Sequence, residues 1–293
     1  MRWPLLFILI PLAACSQIQT IPAPWEPTER QNAEPQPVAD AVAPSWTTIG
    51  TSIRGKPIEA VTLGTGPRRV YIIGGIHGDD PEAPAVASKL PLALVPDFVS
   101  KAGEKCTVRI VRDMNPDGSA LKTRDNTRGV DLNRNWPSRD FQPDPKRGKR
   151  PLSELETTAV QKDMLAFKPE LVIVFQTAVS GRGPDVSVEG AGPTLAYEFA
   201  SSARTVDPRW RVDLNKRYRT PGSVESYVGR DLKVPVLNID FRRGEDAQLS
   251  LKAIRTALVE YAINLPEPKV TPKPAAKSAQ PAAKAKPLAQ AKP

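Results

Sequence analysis

The stretch RRVYIIGGIHGDDPEAPAVASKL runs from Arg68 to Leu90. Its opening, RRVYIIGGI, is an apolar, β-branched run of strand length. Such a run suits a strand buried on both faces of a parallel sheet. It breaks at Gly74 and Gly75, and from Pro81 onward the apolar side chains fall at helical spacing. A buried strand followed at once by a helix is the building unit of an α/β fold. Between the two elements stands His77, the only histidine in 293 residues, with Asp79 and Asp80 just behind it. A histidine and acids at the carboxyl end of a strand mark the start of a metal site. One histidine is a thin supply, because zinc takes Cys, His and carboxylate donors at about 2.0–2.3 Å.

The same alternation continues on both sides. TTIGTSI and IEAVTLG bracket RGKP, a hairpin signal,. KCTVRIVRDM reads as a strand, and NPDG (Asn115 to Gly118) reads as a turn,. LSELETTAVQKDMLAFK reads as a helix opened by a capping box of Ser153 and Glu156,. ELVIVFQ reads as a strand ending at Gln176, and VPVLNIDF as a strand ending near Asp240. TLAYEFASSAR, GSVESYVGRDL and DAQLSLKAIRTALVEYAIN read as helices,. The expectation is one α/β domain over residues 46–264, with a mixed, mostly parallel sheet flanked by helices. Ligands of such sheets sit at the carboxyl ends of the strands. His77, Gln176 and Asp240 each fall at such an end.

The termini read differently. Arg2, the short apolar core PLLFILIPLA and LAAC (Leu12 to Cys15) form a targeting segment at 1–15,. The core is far below the ~20 residues of a membrane-spanning helix. Small residues ending at a Cys resemble a bacterial lipoprotein box, which implies lipidation of Cys15. Acyl chains contribute about 0.8 kcal/mol per buried CH₂, so several attach a protein firmly to a membrane. Ser16, rather than Asp, follows the Cys; for Gram-negative lipoproteins this implies a periplasmic protein held at the outer membrane. Residues 16–45 read as a Pro-rich tether, and 265–293 as a disordered tail rich in Pro, Ala and Lys. That tail holds six lysines and one Glu, hence +5 of the formal net charge of +9. The body is only mildly basic, so a nucleic-acid groove is not expected. With Cys15 acylated, Cys106 has no disulfide partner and reads as a small buried hydrophobe.

The densest polar segment is TRDNTRGVDLNRNWP, Thr123 to Pro137. Arg suits bidentate capture of a carboxylate or an oxyanion; clustered Arg can equally form a solvated face. In order, the chain shows IHGDDPE, NPDG, this segment, SELET, LVIVFQ, TPGS and VPVLNIDF. Together they resemble the zinc carboxypeptidase family, and most nearly its bacterial branch of murein peptide amidases, across residues 46–264. The resemblance implies a zinc held by His-x-x-Glu and a second His, a Glu as general base, an Arg that polarises the scissile carbonyl, and an Asn-Arg pair for the terminal carboxylate. Carried over, His77 matches the first ligand, while Asp80 stands at the Glu position. Gln176 stands at the second His position and Asp240 at the general-base position. Arg124 matches the polarising Arg, and Asn133 with Arg134 the carboxylate pair. Asp80 is one methylene short, and the neutral Gln176 carboxamide suits hard cations better than zinc. A withdrawn Asp240 matters too, since misplacement by ~1 Å can cost about 10²-fold. The expectation is therefore an envelope lipoprotein that binds the C-terminal carboxylate of murein-type peptides with impaired hydrolysis. The alternative is an active metallocarboxypeptidase with an unusual His77/Asp80/Gln176 zinc site and Asp240 as base.

Overall fold

The β-branched runs pair into a single eight-stranded sheet, seen in a computed structural model that describes residues 44–178, 182–214 and 220–264. The strands are β1 (Thr47–Thr51), β2 (Pro57–Leu63), β3 (Arg68–Ile73), β4 (Cys106–Val111), β5 (Leu171–Ala178), β6 (Asp185–Glu189), β7 (Arg211–Val212) and β8 (Val236–Arg242). Their order across the sheet is β1-β2-β4-β3-β5-β8-β6-β7. The central four, β4, β3, β5 and β8, are parallel. The outer pairings of β1 with β2, β2 with β4 and β6 with β8 are antiparallel. This is the mixed, mostly parallel α/β sheet expected. The helices are α1 (Glu82–Phe98), α2 (Lys101–Lys105), α3 (Pro116–Leu121), α4 (Leu155–Phe167), α5 (Thr194–Arg204) and α6 (Ala247–Asn264). A 3₁₀ turn at Leu132–Arg134 and a π-helical turn at Glu225–Asp231 lie in the connections.

Strand residues point alternately to the two faces. Leu171, Ile173 and Phe175 of β5 join the core that packs under α1, α5 and α6. Val172 and Val174 join the opposite core, with Tyr71, Ile73, Trp136 and the α4 residues Val160 and Met164. Both cores are fully buried, at about 1.5–3 kcal/mol for each large aliphatic side chain,. The alternation then carries Gln176 to the α4 face. In the register of β5 with β8, Gln176 lies opposite Asp240 and Val174 opposite Asn238. Cys106 is buried and unpaired at the start of β4.

Two local expectations fail. NPDG is not a free turn: it opens α3, with Pro116 at the first helical position and the Asn115 side chain accepting from the Gly118 N–H at 3.0 Å,. The capping box of α4 does not form either. Ser153 Oγ donates to Glu154 and accepts from Asn135, while the Glu156 carboxylate accepts from the distant Ile53 N–H at 3.1 Å. Tertiary partners have taken both groups that would have capped the helix. The targeting segment with Cys15, nearly all of the tether and the tail at 265–293 lie outside the described residues. Among the described residues, no helix is long and apolar enough to cross a membrane.

Candidate functional site

Loop geometry follows from a few asparagines and aspartates that bond backbone groups. The Arg124 carbonyl accepts from both the Asn115 amide and the Gly78 N–H, at 3.3 Å each. Gly78 is obligatory there, because a Cβ would stand 2.0 Å from the Gly118 carbonyl carbon,. Asn126 Oδ1 accepts from the Arg128 and Val130 N–H groups, and its amide donates to the buried Glu154 at 2.7 Å. Asn135 holds the 147–153 segment through the carbonyls of Arg147 and Arg150 and the Ser153 hydroxyl. Asn133 Oδ1 accepts from the Val224 N–H at 2.9 Å, tying the loop to the π-helical turn. Gly222 passes so close that a Cβ would lie 2.1 Å from the Arg134 carbonyl oxygen, at φ +75°. The Asn- and Arg-rich stretch is thus a built loop whose asparagines satisfy backbone groups both within it and in the segments packed against it,.

A cavity of about 370 Å³ opens over the α4 face of β5 and β8. Arg124, Asn133 and Arg134 line one wall, and Gln176 and Asn238 lie among its other lining residues. Glu189 and Glu225 also line it. The Gln176 amide donates to Asn238 Oδ1 at 3.3 Å. The Asn133 amide reaches toward Glu225 at 3.5 Å, the limit of a hydrogen bond,. Burial lowers the pKa of Arg134, Asp131 acts the other way, and Arg124 adds to the lowering. Two guanidiniums and three carboxamides in one polar cavity can bind a carboxylate and the amide groups beside it.

His77 and Asp80 form a separate, buried cluster. His77 is 1% exposed, and both ring nitrogens are engaged. Nδ1 lies 3.3 Å from Asp80 Oδ2, and Nε2 lies 3.2 Å from Asp131 Oδ1. Burial opposes a charged ring, but the hydrogen bonds to Asp131 and Asp80 outweigh it and raise the His77 pKa,. Burial would likewise raise the Asp131 carboxyl. The hydrogen bond and charge of His77, with Arg124 and Arg134, instead hold it well below the usual carboxylate range. Asp80 is engaged on both oxygens, by His77, the Thr177 N–H at 3.2 Å and Arg243 Nη2 at 3.2 Å. Asp240 is half-buried in β8 beside Gln176.

These donors do not fit zinc. His77 and Asp80 supply only two donors, and Asp80 already faces a guanidinium on Oδ1. The third position is a carboxamide that donates to Asn238. Among the described residues, no group of three His, Cys, Asp or Glu could hold a metal ion. Of the residues singled out from sequence, the fold gathers Arg124, Asn133, Arg134 and Gln176 around one cavity and sets His77 with Asp80 in the cluster next to it. Sequence reasoning missed Asp131, Arg243, Asn238, Glu189 and Glu225. Only Asp131 carried a signal, as the acid of GVDLNRN. A smaller groove of about 270 Å³ between α5 and α6 lies on the other face of the sheet and carries none of these residues.

Residues 43–183 match the Peptidase_M14 family, zinc carboxypeptidase. The match ends before β6, so Asn238 and Asp240 lie beyond it. A curated relative, Carboxypeptidase SOL1 of Arabidopsis thaliana, is 27% identical over 104 residues. That stretch is 32% of this chain and 21% of the plant protein, so the chain matches only about a fifth of that relative's length. Among solved structures, murein-tripeptide amidase MpaA from Escherichia coli O157 aligns with TM-score 0.57 at 22% identity, covering 77% of this chain and 94% of that one. Thrombin activatable fibrinolysis inhibitor aligns with TM-score 0.63 at 15% identity, covering 76% and 70%. At these identities the structural likeness establishes the fold.

Proposed function

We propose, for a chain whose residues 43–183 match the zinc carboxypeptidase family, that it captures the C-terminal carboxylate of murein-type peptides and no longer hydrolyses them. The observation that carries this reading is the cavity in which Arg124, Asn133 and Arg134 converge while Gln176, at a ligand position, bonds to Asn238 instead. A carboxylate entering there meets guanidinium and amide donors, a charge-assisted arrangement of about 1.5–3 kcal/mol per bond. Glu189 and Glu225 suit a terminal residue that also carries an ammonium group, as the diamino acid of a murein tripeptide does. The fold shared with the murein-tripeptide amidase supports the same substrate class. The lipoprotein-like LAAC supports lipid attachment at Cys15 and a periplasmic place at the outer membrane, within reach of peptidoglycan,.

The test is calorimetry with a murein tripeptide, with its terminus free or amidated, alongside a chromatographic assay for cleavage. Binding of the free form, loss on amidation and at least a ~30-fold weakening by Arg134→Ala are expected, with no cleavage. Equal affinity for the amidated peptide would refute carboxylate capture. Turnover with added zinc would instead favour an active His77/Asp80/Gln176 metallopeptidase.

A further inference from the structure

A side-chain cation from a distant turn reaches Asp80. Arg243 sits in the turn that follows β8, and its Nη2 donates to Asp80 Oδ1 at 3.2 Å while Nη1 donates to the Asp79 carbonyl at 2.8 Å. The next residue reinforces the same docking: the Gly244 N–H donates to Glu82 at 2.7 Å, and Glu82 also accepts from the Thr177 hydroxyl at 2.9 Å. The turn after β8 is thus bonded at three points to the segment that follows β3. Asp80 meets a cation from this turn on one oxygen and His77 on the other. His77 passes the linkage to Asp131. Asp131 Oδ2 accepts from Arg124 Nε at 3.1 Å, and its Oδ1 accepts from the Asn133 N–H at 2.9 Å.

We infer that Arg243 provides the positive charge that a metal ion would otherwise give Asp80, and that the chain Arg243–Asp80–His77–Asp131 holds Arg124 and Asn133 in their ligand-binding pose with no metal present. His77 is then a positioning residue for the anion cavity, which it does not itself line. The chain joins the ends of β3 and β8 to the arginine loop, work that a shared metal ion does elsewhere in metalloproteins. The second half of the inference rests on the carboxylate-binding reading; the first half does not.

Two arms separate them. In the first, zinc is titrated by calorimetry into metal-free wild type, Gln176→His and Gln176→His/Arg243→Ala. The Arg243 side chain is 42% exposed, and the unfolding midpoint of each variant is measured alongside, with Arg243→Gln as a second variant that keeps an amide donor for Asp80,. Releasing Asp80 should tighten zinc binding at least about tenfold relative to Gln176→His alone, in line with outer-shell effects on metal sites. Equal zinc affinity in the single and double variants would overturn the role of Arg243. In the second arm, binding of a free-carboxylate tripeptide is measured in chelator for wild type, His77→Ala and His77→Gln. Wild type should keep full affinity, His77→Ala should lose about tenfold, and His77→Gln, whose amide can still donate to Asp131, should recover part of the loss. Unchanged binding in His77→Ala would overturn the positioning role. A wild type that binds no tripeptide would overturn the carboxylate-binding reading and the positioning role with it, while the zinc arm would still decide the role of Arg243.

Discussion

Asp113 shows how one side chain couples the site region to pH. It lies between β4 and α3, where its Oδ1 accepts from the Asn115 N–H at 3.0 Å. Burial pushes its carboxyl up to about 6 from an ordinary 3.8, and Asp117 adds to the rise against the hydrogen bonds of Ser119 and Asn115 and the charge of Lys56. A raised carboxyl pKa means that the folded state holds a proton the unfolded chain has released. Its contribution to stability is therefore most favourable below pH 3.8, declines as pH rises through about 6, and stays low above that,. Asp113→Asn keeps the acceptor and removes the ionisation. Urea unfolding should show a gain on the order of 2 kcal/mol at pH 8 and almost none at pH 3.5. A gain of equal size at both values would show that packing, not charge, is responsible. For the residues singled out from the motifs, place along the strands and loops was legible in the sequence, but partners were not. Nothing in the spacing of His77 says that both its nitrogens meet carboxylates, since Asp131 lies fifty-four positions away.

At the scale of elements, the strands were the most legible part, because a buried parallel strand has to be a continuous apolar run. β3, β5 and β8 appeared where the runs did, although β5 and β8 each extend two residues past the expected end. β6 and β7 were missed: β6 is five residues and β7 two, too short for a clear period. Caps were the least legible. Ser153 and Glu156 have the right spacing, but bonds from Asn135 and Ile53 compete successfully for them. The π-helical turn is another element that depends on long-range contact. It is set by Val224, whose N–H donates to Asn133, and by Gly222 pressed on the Arg134 carbonyl. Gly222→Ala combines a left-handed φ with a Cβ only 2.1 Å from that oxygen. It should destabilise by on the order of 3 kcal/mol and weaken tripeptide binding, because the displaced turn carries Asn133 with it. Thermal unfolding and calorimetry on the same preparation check both effects; unchanged peptide affinity would detach the turn from the cavity.

For the whole molecule, the inferred Arg243–Asp80–His77–Asp131 network predicts a fold that does not depend on a metal. A ligand that binds only the native state raises stability by mass action, so a resident zinc would reveal itself on removal. Chelator should leave the unfolding midpoint within about 1 °C, and added zinc should not raise it by more than that. A rise of several degrees in zinc would contradict the network as described. The sequence by itself determined the α/β class and the family resemblance. These are encoded locally, in apolar periodicity and in short motifs whose residues are neighbours along the chain. Only the tertiary structure decided that the arginine loop and Gln176 share one cavity, that His77 lies in a chain of ion pairs, and that Arg243 meets Asp80 across 163 positions of sequence. Those outcomes depend on strand order and loop closure. No local pattern specifies which distant charge will arrive beside a buried acid, and strand order with loop closure is what brings Arg243 to Asp80.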